Sequence, residues 1–508
     1  MRTLLLLGVM LALSACTSPA QPTPTPVSPV VQTVLVPQTV LVTAVPPATR
    51  AIPPSTPTIL PTLMANRTAT SAPTLAPPTP SSTPDPRAFP SSFFAMTTVD
   101  VIDYPKVTFG TLAHPEIGAW NWIERSKGVY DFSIFDRAVS NAVAHGLVDA
   151  TNTVSMAITL GSTPPWAAAD PSSCAGVKGV PRCTCGPANI QDWSNFVTAV
   201  LKHYNGVTMP HVRYYELWNE MNIDLFWTGT QTDMLNLAKA AYPIVHADSH
   251  SLLLTPSVAN TVGDLSPASG TTWMASYLDA GGARYADGGA FHGYIAITGV
   301  KPYPMPEQDS TSGCIKFRAC YGSIITKATM LRQVFDQHGL AGKPMFDTEG
   351  SWGDGNVTDP DTQAAWLARW YLLQAGLRST LNLQMVAWFT WGNPRTFTWG
   401  MIEDVSGAPT QAGIAFNQVY SWLVGATMNQ PCSSTADATW TCSLTRPGGY
   451  SALAIWNTEG AKSYTPGPAY ADYRDLAGNT VKIIRGAPIA IGAKPVLLET
   501  APPAQNSP

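Results

Sequence analysis

Two glutamates stand where a strand-like run gives way to a loop. Tyr214-Tyr215-Glu216-Leu217-Trp218 leads into Asn219-Glu220, and Pro344-Met345-Phe346-Asp347-Thr348 leads into Glu349-Gly350-Ser351-Trp352. Two carboxylic acids brought face to face can divide labour. One held protonated gives its proton to a leaving group, while the other stays ionised and attacks or stabilises the reacting centre. That chemistry needs no cofactor and no metal. Asp347 competes with Glu349 for a role. Strand alternation puts Asp347 on the same side as Glu349, one layer deeper, and Glu216 sits similarly in its own strand. Both read as polar partners in the core.

Composition narrows the ligand. Of 508 residues, 45% are hydrophobic and 12% charged, about half the usual quarter. The formal charge is −4, from 29 basic and 33 acidic residues. This balance gives no electrostatic footprint for nucleic acid. Sixteen tryptophans in a chain with so little charge suit a neutral ligand. Carbohydrate is the usual one, because sugar C–H faces pack on aromatic rings. No run after the N-terminus reaches the roughly 18 apolar residues of a spanning helix, which excludes a polytopic membrane protein.

The elements that must position the carboxylates alternate. Strand-like runs lie near residues 94, 109, 157, 214, 253, 291, 346 and 387. Between them come helical patterns such as Phe132–His145, Trp193–Tyr204, Met234–Ala247, Ile324–His338 and Thr362–Gly376. Repeated strand–helix units imply parallel strands with helical crossovers. Eight of them in residues 92–427 predict an α/β fold, a (β/α)₈ barrel with insertions. A doubly wound open sheet is the alternative, but no Gly-rich phosphate loop follows the first strand. In a barrel, Glu220 closes the fourth strand and Glu349 the seventh, both on the C-terminal rim where barrel enzymes keep their active sites. After Gly425 the pattern changes. Thr439–Thr445, Tyr450–Trp456, Val481–Ile484 and Val496–Glu499 predict a small antiparallel β domain over 428–500, followed by a loose tail at 501–508.

The N-terminus reads as an address. Met1-Arg2 precedes an apolar run from Thr3 to Ala15, the form of a secretory signal. Leu13-Ser14-Ala15-Cys16 resembles the bacterial lipobox, in which the cysteine is lipidated after residues 1–15 are removed. An ordinary signal cleaved near Ala15 is the alternative. Two or more acyl chains on one cysteine anchor stably, so the expectation is a protein tethered outside the cell by lipid on Cys16. Residues 16–91 are rich in Pro and Thr and hold 19 of the 46 prolines. Such a sequence favours an extended, semi-rigid spacer.

On these residues the chain resembles glycoside hydrolase clan A, the barrel superfamily with catalytic glutamates on strands four and seven. Trp218-Asn219-Glu220 is similar to the clan's acid/base motif, and Glu349 stands at the nucleophile position. His292-Gly293-Tyr294 resembles the His-x-Tyr of strand six, and Trp388 and Trp391 the aromatic of strand eight. Trp122-Ile123-Glu124, Gly128-Val129-Tyr130-Asp131-Phe132 and Thr163-Pro164-Pro165-Trp166 resemble family 39, home of β-xylosidases and α-L-iduronidases. The resemblance spans roughly 92–425. It implies a retaining hydrolase with Glu349 as nucleophile and Glu220 as acid/base. Asn219 would bind the sugar 2-hydroxyl, Tyr294 would orient Glu349, and His292 would line the floor. Trp166, Trp352, Trp388 and Trp391 would serve as sugar platforms. One departure stands out: clan members often carry an arginine after strand two, and Thr108–His114 has none. His114 and Glu116 stand nearby instead.

The eight cysteines are 16, 174, 183, 185, 314, 320, 432 and 442. An exported chain favours disulfides. Cys314 with Cys320 and Cys432 with Cys442 are candidate local pairs. Cys174, Cys183 and Cys185 supply one further pair and one leftover thiol, with a metal site as the alternative. Two other readings share the lipid anchor: a catalytically inactive carbohydrate-binding lipoprotein, and a periplasmic solute-binding lipoprotein. The second needs two doubly wound lobes, which eight strands in series do not make. The first keeps the Trp-rich cleft but does not require both carboxylates.

Overall fold

The computed structural model describes residues 85–98, 104–113, 118–177, 180–259, 269–295, 304–309, 322–352, 357, 359–391, 402–404 and 406–500. The chain divides into residues 1–79 and 80–508, and every described residue belongs to the second unit. Cys16, the spacer up to residue 84, Cys314, Cys320 and the tail 501–508 lie outside the described residues.

Eight parallel strands form one sheet. They are β1 (Phe94–Thr98), β2 (Thr111–Ala113), β3 (Thr153–Thr159), β4 (His211–Glu216), β5 (Leu252–Leu254), β6 (Gly289–His292), β7 (Met345–Gly350) and β8 (Leu383–Trp391). They pair in the order β5-β4-β3-β2-β1-β8-β7-β6. Parallel bridges Leu254↔Gly288 and Ala259↔His292 join the two ends. The expected (β/α)₈ barrel is therefore the fold, and closure leaves no long sheet edge.

Helices follow most strands: α1 (Ser133–Ala144), α2 (Ile190–His203), α3 (Gln231–Val245), α4 (Gly270–Asp279), α5 (Ile324–Gln337), α6 (Pro360–Leu381) and α7 (Gln411–Leu423). Their starts carry the expected chemistry. Thr230 and Asp233 form a reciprocal capping box on α3. Asp359 accepts the Thr362 N–H at the start of α6, and Pro360 takes the first position, where no N–H is needed. Helix α6 is longer than its apolar periodicity suggests. It is buried on almost every side, so it lacks the polar stripe that marks a surface helix. It ends at Asn382 in the left-handed region, φ 52°.

Strand alternation builds the barrel interior. Ala95, Ala113, Ala157, Leu254, Ala290, Phe346, Met385 and Ala387 form one buried cluster inside it. The intervening positions pack outward, into the layer shared with the helices. Above the interior cluster the inward positions turn polar. Thr159, Glu216, His292 and Thr348 are all buried there. Buried polar groups are costly unless partnered, and this layer is the floor of the C-terminal rim of the barrel.

The C-terminal domain is antiparallel, as expected. Its main sheet orders Ser433–Ser434, Thr439–Arg446, Tyr450–Asn457, Val496–Thr500, Tyr470–Arg474 and Thr480–Lys482. A second ribbon pairs Lys462–Tyr464 with Ile489–Ile491. The domain rests on α6, where a Cβ on Gly376 would lie 2.8 Å from the Cys432 nitrogen. Cys432 is bonded to Cys442 and Cys174 to Cys183, and Cys185 is left as a buried thiol. The pairing of Cys174 follows from a short hairpin, Cys174–Val177 with Val180–Cys183, which sets the two cysteines opposite each other. Among the described residues, no helix is long and apolar enough to cross a membrane.

Candidate active site

Glu220 is placed by a turn, not by the strand itself. β4 ends at Glu216, and the chain folds over at Glu220 with φ 37°. That left-handed conformation is unusual for a side chain with a Cβ and is held by its surroundings. Ser257, just past β5, does the holding. Its N–H donates to the Trp218 carbonyl at 2.9 Å, its hydroxyl accepts the Glu220 N–H at 3.2 Å, and its carbonyl accepts the Met221 N–H at 3.2 Å. Trp218 is the wedge beneath. It is buried against Trp193 and Trp227, and its indole N–H donates to the Phe226 carbonyl at 2.9 Å.

Glu349 is aimed by a bulge. The register of β7 slips against both neighbours: Phe291 faces Asp347 but His292 faces Glu349, and Val386 faces Asp347 but Trp388 faces Gly350. An extra residue in a strand re-aims the side chains beyond it. This corrects the expectation from simple alternation. Asp347 does not lie beneath Glu349 on the cleft side. It faces the helix layer, where its Oδ1 accepts the Gly293 N–H at 2.8 Å and where Gln374 of α6 and the Lys327 ammonium of α5 are its neighbours. Glu216, in contrast, points inward as expected, beside the hydroxyls of Ser257 and Thr348.

The two glutamates meet on one imidazole. His292 Nδ1 lies 2.9 Å from Glu220 Oε1 and 3.5 Å from Glu349 Oε2. A ring nitrogen of His292 and one oxygen from each glutamate all lie within 4.8 Å of one another. The Tyr294 hydroxyl donates to Glu349 Oε2 at 2.8 Å. Glu349 Oε1 is buried and has no hydrogen-bond partner among the described residues. Asn219 is buried next to Glu220, and its side-chain oxygen likewise has no partner among them. These five residues, all anticipated, come together.

Burial and charge tune the cluster. Burial pushes the Glu349 carboxyl up, the His292 cation and the Tyr294 hydrogen bond pull it down, and the charges of Glu220 and Glu216 push it up again. The balance leaves it at about 7. Burial lowers His292, but the negative charges of Glu349, Glu220 and Glu216 outweigh it and raise the imidazole to about 10. An imidazolium between carboxylates is the result, and the protons belong to the cluster as a whole. Burial raises Glu216 to about 7 and Asp347 well above the carboxylate range. Lys327 is lowered by burial to about 7, with Asp347 opposing.

The tryptophans occupy other positions. Trp352 is 5% exposed, donates to the Pro304 carbonyl at 2.9 Å and packs between Trp366 and Trp388. Trp388 is turned outward, against Trp370 and Tyr371 of α6, and Trp391 is also buried. Trp166 donates to the Glu124 carbonyl at 2.8 Å, with Lys127 over its ring. The aromatic side chain that faces Tyr294 from β8 is Phe389, ring centres 5.9 Å apart. Sequence reasoning missed it, although alternation from Met385 and Ala387 points inward at 389. Ser257 and Lys327 were also missed, because neither belongs to a motif.

Among the described residues, two groups could offer ligands to a metal ion: the cluster of Glu220, His292 and Glu349, and His211, Asp248 and His250 at the opposite end of β4 and β5. Hydrogen bonds already engage the second group. His211 Nδ1 pairs with Asp248 Oδ2 at 2.7 Å, and Asp248 also accepts from the His250 N–H and the Ser251 hydroxyl.

No protein-family model matches this chain, and no curated protein sequence matches it. Solved structures do. A family 39 glycoside hydrolase from the gut symbiont Bacteroides cellulosilyticus WH2 is 20% identical, with 81% of each chain covered and a TM-score of 0.59. The GH39 enzyme of Xanthomonas axonopodis pv. citri is 15% identical, over 82% of this chain and 95% of that one, with a TM-score of 0.53. A GH39 β-xylosidase from Caulobacter crescentus is also 15% identical, over 82% and 97%, with a TM-score of 0.52. At these identities the likeness is one of fold: the chain has the barrel architecture seen in family 39 glycoside hydrolases.

Proposed function

We propose that this protein is a retaining glycoside hydrolase that cleaves O-glycosidic bonds in polysaccharides or oligosaccharides by double displacement. One observation carries the reading: oxygens of Glu220 and Glu349 lie within 4.8 Å of each other, and both glutamates meet Nδ1 of one buried imidazole. Retaining enzymes set their two carboxyl groups about 5–5.5 Å apart, whereas inverting enzymes leave about 6.5–9.5 Å for a water. Glu349 is the nucleophile. Tyr294 and His292 hold its Oε2, and Oε1, with no hydrogen-bond partner among the described residues, is the oxygen that attacks C1 of the sugar. Glu220 is the acid/base. It gives its proton to the leaving oxygen as C1 bonds to Glu349, then takes a proton from the water that breaks the glycosyl–enzyme ester. Asn219 binds the 2-hydroxyl beside the reacting carbon. Lipid on Cys16 tethers the enzyme outside the cell, and the two disulfides support an exported chain.

The test is a screen of aryl glycosides and polysaccharides, followed by NMR of the first-formed product of the substrate turned over. Retention of the anomeric configuration is expected, and inversion refutes double displacement. Glu349→Ala should abolish turnover without unfolding, and azide should restore it with an inverted glycosyl azide. A folded Glu349→Ala with near-normal rates removes Glu349 from the role.

A further inference from the structure

Glu307 belongs to the connection between β6 and α5, and no motif marks it in the sequence. Its side chain is 4% exposed and pairs with Arg369 of α6, which is fully buried. Arg369 Nε and Nη2 donate to Oε1 and Oε2 of Glu307 at 2.6 and 2.5 Å. A third donor comes from the β domain. The indole N–H of Trp456, buried in strand Tyr450–Asn457, reaches Glu307 Oε1 at 2.9 Å. One carboxylate on the catalytic-face connection is therefore gripped from α6 and from the β domain together.

A buried ion pair is a weak source of net stability, since apolar residues of the same volume often do as well. What a bidentate fork and a third N–H specify is position: both oxygens are occupied from fixed directions. The segment 304–309 is held at two more points. Trp352 Nε1 donates to the Pro304 carbonyl at 2.9 Å, and the Ile324 N–H at the start of α5 donates to the Pro306 carbonyl at 3.0 Å. Trp352 stands three residues past Glu349 at the end of β7. A continuous path of hydrogen bonds and a short stretch of chain joins the β domain to the edge of the reacting centre.

We propose that the β domain sets the catalytic face. Through Trp456 and Glu307 it fixes the segment 304–309, and through Pro304 it fixes the indole of Trp352. Glu307, Arg369 and Trp456 are positioning residues. The consequence for turnover rests on the glycosidase reading above; the linkage itself does not.

Trp456→Phe in the full-length protein keeps an aromatic ring, smaller than the indole, and removes the N–H. Two readouts are needed: amide hydrogen exchange of peptides covering 304–309, and KM against kcat on the 4-nitrophenyl glycoside that the wild type turns over fastest. Exchange should quicken about 5-fold or more in that segment. KM should rise about 3–10-fold, with kcat within about twofold. Lys494→Ala is the control. It removes another tie to α6, the exposed Lys494–Asp361 pair at 2.6 Å, and takes no part in the path. Unchanged exchange at 304–309 in Trp456→Phe overturns the linkage. Faster exchange with an unchanged KM overturns the effect on the face. A Lys494→Ala variant that behaves like Trp456→Phe also overturns the proposal, because loosening of the domain contact then suffices. A wild type that cleaves no glycoside overturns the functional reading instead, and the exchange arm still decides the linkage.

Discussion

The side chains of Glu220 and Glu349 converge on a single nitrogen, His292 Nδ1, at 2.9 and 3.5 Å. The geometry makes each glutamate's charge part of the other's environment. It also separates their surroundings: Glu349 is buried, and Glu220 opens partly to solvent. On the proposed reading, the half-open carboxyl is the acid/base and the buried one the nucleophile.

The acid/base role of Glu220 predicts a dependence on the leaving group. Glu220→Gln cannot donate a proton, so substrates with poor leaving groups should lose about 10²–10⁴-fold in rate. Activated aryl glycosides should keep a fast first step and then accumulate the glycosyl-enzyme, since the base for its hydrolysis is missing. Pre-steady-state release of the aryl group reads this directly as a burst. Because Glu220 carries its proton in the active form, Glu220→Gln should remove the basic limb of kcat/KM for these substrates. Equal losses for both substrate classes, or none, would remove Glu220 from the role.

Tyr294 and His292 should tune the acidic limb of kcat/KM. Both favour the ionised form of Glu349, which titrates near 7. Tyr294→Phe removes the hydroxyl donor, and His292→Asn removes the cation. In each variant Glu349 should hold its proton to higher pH, and activity should be lost at a higher pH as the solution is acidified. The lost charge-assisted hydrogen bond in Tyr294→Phe should cost about 10–100-fold in kcat/KM near neutrality. A pH profile that only scales down, with its acidic limb unmoved, would contradict the electrostatic account.

Gly293 should not tolerate a side chain. A Cβ there would lie 2.2 Å from Asp347 Oδ2, and Asp347 is fixed by the Gly293 N–H. Gly293→Ala must push Asp347 or the His292–Tyr294 turn aside, at a cost of about 1–3 kcal/mol. Thermal unfolding should show the loss, and activity should fall as Tyr294 leaves Glu349. Gly293→Ala combined with Asp347→Ala should recover part of the stability. A single variant as stable and active as wild type would show that the turn does not depend on this contact.

The lipid anchor has its own test. Wild-type protein expressed with its N-terminus should partition into the detergent phase, and Cys16→Ser should move it to the aqueous phase or leave the signal uncleaved. Aqueous partitioning of the wild type would rule out lipidation at Cys16.

The barrel and its carboxylates were legible because they rest on local patterns. Alternating apolar strands and helical stretches count eight units, and a strand that ends in Glu220 or Glu349 must deliver that residue to the C-terminal rim. The partnership of His292 and Tyr294 with the glutamates was legible too, through motif likeness. What alternation could not foresee was the break in it. The bulge in β7 turns Asp347 out toward Lys327 and leaves Glu349 in the cleft, because register against both neighbouring strands, not the strand's own sequence, decides where an extra residue sits. The same holds for β8, where Trp388 packs outward on α6 and Phe389 faces Tyr294. The outward positions of the strand face a helix rich in large aromatics, so the bulkier indole is buried there. The grip of Arg369 and Trp456 on Glu307 joins three segments distant in the chain. No spacing in a linear sequence encodes such a meeting; it exists only once the barrel closes and the β domain lies against α6.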